Sequence, residues 1–171
     1  MVQEASNTAV RELAVRAAEA SEAGSELRII VMGMLRDQGK YPEARAMLEG
    51  VVAAREAAES AGEGKVEDTL DAKGFLAQIM GIQGQLVEGR GVLEEVVAGW
   101  KGVEGWEENT DAAMALMILG TVMMQQGDLE NARTTLQEAL KIKEAKLGAG
   151  DSSTLATKGN LAIIMMKQGD L

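Results

Sequence analysis

Four Gln-Gly pairs punctuate the chain, Gln38-Gly39, Gln83-Gly84, Gln126-Gly127 and Gln168-Gly169, and their glycines lie 45, 43 and 42 residues apart. A period of that size constrains the fold more than any composition does. Each unit is one supersecondary element that cannot bury its apolar face alone, so neighbouring units must stack. The register around the glycine holds from unit to unit. Two residues after it stand Tyr41, Leu86, Leu129 and Leu171; five after it, the small Ala44, Gly89 and Ala132; six after it, Arg45, Arg90 and Arg133. Nine after it come Leu48, Leu93 and Leu136, and twelve after it Val51, Val96 and Ala139. Eight before it stand Val31, Leu76, Leu119 and Leu161; seven before it, Met32, Ala77, Gly120 and Ala162; four before it, Leu35, Met80, Met123 and Met165. Length variation is confined to the joins between units.

Each unit reads as two helices. The first ends at the Gln-Gly pair, where glycine suits a left-handed C-terminal conformation. The second starts two or three residues later, with Pro42 in its first turn, where a missing N–H costs nothing. Its apolar residues 5, 9 and 12 after the glycine share one helical face. Ser25, Asp68, Asn109 or Thr110, and Asp151 are the N-cap candidates of the first helices. Small residues on both helices let the backbones approach, and large neighbours fill the flanks. Glycines 89, 91, 99, 102 and 105 weaken the second helix of the second full unit, which is expected to fray beyond Gly99, with Trp100 and Trp106 anchoring the frayed end.

Composition removes most catalytic chemistry. The chain has no His and no Cys, hence no disulfide, no imidazole or thiolate metal ligand and no His-based triad. No phosphate-loop, dinucleotide or nucleophile-elbow motif occurs in a fitting context. The expectation is a non-enzyme without cofactor or metal. A net charge of −10 opposes nucleic-acid binding. Neither a membrane-spanning run nor a secretory signal is present in the sequence, which points to a cytoplasmic setting. Arg45, Arg90 and Arg133 are expected to pair with nearby Glu and to cover apolar surface with their stems.

With a small residue in each helix, glycine at the turn and a large apolar residue late in the second helix, the pattern resembles the tetratricopeptide repeat. The stretches DTLDAKGFLAQIMGIQG and STLATKGNLAIIMMKQGDL, with the long period, look closest to the kinesin-light-chain type. The family's aromatic residue four before the glycine is Leu or Met here, and its Asn before Leu-Ala survives only as Asn160. The resemblance implies an all-α, right-handed α-solenoid of antiparallel helix-turn-helix repeats with about eight helices. The expected layout is a partial repeat over 1–24, repeats over 25–67, 68–109 and 110–150, and the first helix of a further repeat over 151–171.

The same resemblance implies a module that binds a protein or peptide on a concave wall lined by the first helices. The candidate groove is Ile29, Gly33, Arg36, Phe75, Gln78, Ile82, Met117, Thr121, Met124, Gln125, Asn160, Ile163 and Lys167. Asn160 matches the family's Asn that hydrogen-bonds a peptide backbone, although a solvated Asn is the plainer reading. The segment AAMALMILGTVMM is apolar on every side. Either neighbouring helices cover its inner face, or a Met-rich groove takes an apolar peptide or helix, or the face self-associates. Both ends read as cut within a repeat. Leu161, Ile164 and Met165 are then expected to face nothing, and self-association through that last helix follows. A structural spacer and a set of regulatory repeats attached to a catalytic domain elsewhere are the other two readings of function.

Overall fold

The computed structural model describes residues 40–169. Among them are six α-helices, one short 3-10 helix and no strand. The helices are α1 (Tyr41–Ser60), α2 (Val66–Ile82), α3 (Leu86–Lys101), α4 (Thr110–Gln125), α5 (Leu129–Leu147) and α6 (Ser152–Gln168); the 3-10 turn, Trp106–Glu108, lies between α3 and α4. The two other helices expected from the sequence, with Ser25, Ile29, Gly33 and Arg36, fall outside the described residues. No described helix is long and apolar enough to cross a membrane. The chain divides into two compact units after Gly84.

The glycines of the repeated pairs do what their position requires. Gly84, Gly127 and Gly169 have φ of 81°, 82° and 78°, the left-handed conformation that lets the chain leave one helix and enter the next within a few residues. The following helices start at Tyr41, Leu86 and Leu129, two residues past the glycine, with Pro42 at the head of α1.

In the first unit α1 packs on α2. Ala44, Met47, Leu48 and Val51 meet Ala72, Phe75 and Ile79 in one cluster, flanked by Tyr41, Val52 and Leu76. In the second unit each helix packs on its chain neighbours, and α4 also touches α6. Gly120 of α4 marks the closest approach. A Cβ there would lie 2.6 Å from Leu136 Cγ and 3.3 Å from the Ala132 carbonyl oxygen of α5. The first-unit counterparts, Ala77 and Ala44, are likewise fully buried.

Helix starts follow the capping expectation at two of the three described sites. Asn109 Oδ1 accepts from the backbone N–H of Asp111 and Ala112 at 2.7 and 3.2 Å, and Asp151 Oδ1 from Ser153 and Thr154 at 2.8 and 3.3 Å. Asp68 is not a cap. The helix starts two residues earlier, at Val66, and Asp68 sits inside its first turn, where its charge meets the positive end of the helix dipole. α3 continues past Gly99 to Lys101 before it breaks, because Trp100 is buried and pins that turn. The 3-10 turn then packs on α3, α4 and α5, with the Lys101 ammonium 5.2 Å from the centroid of the Trp106 ring.

Ile164 corrects one expectation about α6. It is fully buried, and its counterparts five residues before the glycine, Ile79 and Val122, are buried too, Ile79 within the cluster shared with α1. Leu161 and Met165 are half-buried. The uncovered apolar side chains of α6 are instead Leu155, Ile163 and Met166.

Candidate functional site

α4 is buried on all sides but one. Ala112, Ala113, Ala115, Leu116, Ile118, Leu119, Val122 and Met123 are buried, whereas Met114, Met117, Thr121 and Met124 form a half-exposed stripe at helical spacing. Beside it runs a barer stripe of α6: Ala156, Gly159 and Ile163 are exposed and Asn160 half-buried. No atom lies within 4 Å of where a Gly159 Cβ would be. The stripes are tied at the middle, where Asn160 Nδ2 donates to Thr121 Oγ1 at 3.0 Å while that hydroxyl donates back to the Met117 carbonyl at 2.8 Å.

Of the expected groove residues of the second unit, Met117, Thr121 and Met124 lie on the half-exposed stripe of α4, Asn160 is bonded to Thr121, and Gln125, Ile163 and Lys167 are exposed. In the first unit Gln78 is half-buried and Ile82, the last residue of α2, is exposed. Phe75 is a correction. It is 7% exposed and belongs to the cluster that joins α2 to α1; Ile118 at the same repeat position is also buried, whereas Asn160, the third occupant, is half-buried.

Two further sets of residues govern how repeats join. The first is the pair of signatures themselves. Arg90 Nη1 donates to Gln126 Oε1 at 3.1 Å, and Arg133 Nη1 to Gln168 Oε1 at 3.4 Å. The Arg six after one glycine thus reaches the Gln just before the next. Arg45 and Arg90 also pair with Glu49 and Glu94 at 2.8 Å, as expected, and Arg90 meets Asp128 at 2.9 Å. The hydrogen bond that Arg90 donates to Glu94 is the main cause holding its guanidinium above its usual proton affinity.

The second set lies sixteen residues after the glycine: Arg55, Trp100 and Lys143. All three are buried, at 6%, 2% and 1% exposure. Arg55 Nη1 donates to the Asp68 carbonyl at the start of the next helix. Lys143 Nζ donates to Ser153 Oγ at 2.8 Å, Thr157 Oγ1 at 3.2 Å and Met117 Sδ at 3.0 Å. Burial lowers the proton affinity of both cations, that of Lys143 to about 8. The three types differ in chemistry and share only length. Register was the signal that would have aligned them.

Two tetratricopeptide repeat profiles match the chain, one over residues 111–171 and one over 33–61. No curated protein matches it. Among solved structures, BtubC (BKLC) from P. vanneervenii superposes with a TM-score of 0.74 at 15% identity over 96% of this chain. The chain spans 63% of that protein's length. The kinesin light chain nearly identical TPR-like repeats of Podosopora anserina superpose with a TM-score of 0.68 at 26% identity, covering 85% of this chain and 68% of that one. A variant of the same repeats gives the same score and identity over 88% and 70%.

Proposed function

Because this chain belongs to the tetratricopeptide repeat family, with repeats of the kinesin-light-chain type and the interaction role general to such repeats, we propose that the α4–α6 face of its second unit captures a peptide or helix with an apolar stripe of its own. The observation that carries this reading is the half-exposed row Met114, Met117 and Met124 beside the open floor at Ala156 and Gly159. Methionine is flexible and polarizable, so the row adapts to a range of apolar side chains. The bare floor lets a backbone come close, and the free valences of Asn160 and Gln125 offer hydrogen bonds that fix orientation. Charge would act before contact. With Asp and Glu outnumbering Lys and Arg 27 to 17, the chain attracts partners with basic flanks and repels acidic ones.

The test is a displayed library of random peptides selected against the chain and against Met124→Glu and Ile163→Glu. These two are chosen over Met117→Glu because a carboxylate at 117 would meet the Lys143 amine and change the joint as well. The expected result is enrichment of peptides with apolar residues at helical or alternating spacing, lost in both variants while their helical circular dichroism is kept. Equal enrichment with the variants, or none with the parent, sinks the reading and leaves a structural spacer.

A further inference from the structure

We propose that Lys143 is a proton-operated latch at the joint between α5 and α6: the joint loosens while the amine carries its proton and tightens when the proton leaves. The residue lies where α4, α5 and α6 meet, almost wholly out of water. Its three hydrogen-bond partners are two hydroxyls and a thioether. They accept from the ammonium but carry no counter-charge, and among the described residues no carboxylate lies within ion-pairing distance of it. A buried cation in that state is costly, whereas a neutral amine there is not.

The surrounding groups also suit the neutral form. Thr157 already donates its hydroxyl proton to the Ser153 carbonyl at 2.9 Å. The Ser153 hydroxyl can rotate and donate to the lone pair that the amine gains on losing its proton. Charged groups near the node come from each packed element. Asp151, at the start of α6, is the one whose charge favours the protonated amine, and it only partly offsets burial. On α5 the adjacent Glu144 is engaged by Lys158 of α6 at 2.7 Å, and Lys146 by Glu108 at 2.6 Å. α4 contributes Asp111 in its first turn. At the same repeat position Arg55 keeps its proton at any ordinary pH and the Trp100 indole does not titrate, so among the described joints this behaviour belongs to the third.

The sign follows from the two states. Closed, the amine holds its proton only up to about pH 8; released into water when α6 opens, it recovers its ordinary value of 10.5. Between those values the open state binds more protons, so raising the pH favours closure. The experiment is hydrogen exchange of the α6 amides from Leu155 to Ile164 in the full chain, at pH 7 and pH 9, each corrected for the intrinsic exchange rate. The opening constant is expected to fall roughly tenfold over that interval, while α1 and α2 amides show no such change. In Lys143→Met the fall should vanish, with α6 more protected at pH 7 than in the parent. Lys143→Arg, which keeps its charge throughout, should also abolish it and serves if the apolar variant disturbs the joint. A parent chain without the fall, or a tenfold fall that persists in either variant, overturns the proposal.

Discussion

Gly120 and Gly91 make opposite demands although both sit inside helices. At Gly91 nothing lies within 4 Å of where a Cβ would be, so alanine there gains only helix propensity. Gly91→Ala should stabilise the chain by about 0.5–1 kcal/mol in urea unfolding. At Gly120 the added methyl meets Leu136 and the Ala132 carbonyl. Overpacking of about 1–3 kcal/mol then outweighs the same propensity gain, and Gly120→Ala should be net destabilising. Equal effects at the two sites would mean that α4 and α5 are not in close contact. The small residue at Gly120 was legible because the register repeats it as Ala77 and Ala162. The joint residues Arg55, Trp100 and Lys143 were not, because a search for like chemistry passes over three unlike side chains whose common property is reach.

The elements differ in how firmly their ends are held. Asn109 closes the start of α4 with two backbone hydrogen bonds, and α2 begins at Lys65 with no side-chain cap. Asn109→Ala should therefore cost about 1 kcal/mol, read as a lower urea midpoint with unchanged slope. Asp68→Ala removes a dipole interaction of about 0.3–1 kcal/mol together with one of the charges that favour the buried Arg55 cation, so its loss does not report on a cap. An unchanged midpoint in Asn109→Ala would argue against the cap as assigned. Sequence marked the cap residues by type, but only the start of the helix decides which type is used, and Val66 and Glu67 gave α2 two extra residues. The α4 pattern was equally ambiguous. A helix apolar all round has no polar face to reveal which side stays open, so the Met114–Met124 stripe needed its neighbours α3, α5 and α6 in place. Phe75 was misplaced because one repeat position serves two surroundings: nine before the glycine, Phe75 and Ile118 are buried, whereas Asn160 is half-buried. Ile164 was misplaced because α6, the last described helix, still covers one side of itself with the helix before it.

At the scale of the molecule, the stability of a stacked-repeat chain is approximated as a sum of unit and neighbour terms. Met47 is fully buried in the first unit, and Met47→Ala should cost about 2–5 kcal/mol there. Hydrogen exchange should show α1 and α2 losing protection while the α4 and α5 amides keep most of theirs; uniform loss along the chain would mean one cooperative block instead. The two kinds of joint contact carry a different lesson. The Arg-to-Gln contact of Arg90 with Gln126 and Arg133 with Gln168 is the same at both places, so it would survive any reshuffling of copies. The contact sixteen residues after the glycine would not. Lys143 needs the hydroxyls of Ser153 and Thr157, whereas Arg55 rests on the Asp68 carbonyl with the charges of Asp68 and Asp71 nearby. A unit moved to another slot would bring a long polar side chain to a seat shaped for a different one. The order of the repeats is thus written into their seams, and a recombinant with its units transposed should be less stable than its parent although it contains every one of the same residues.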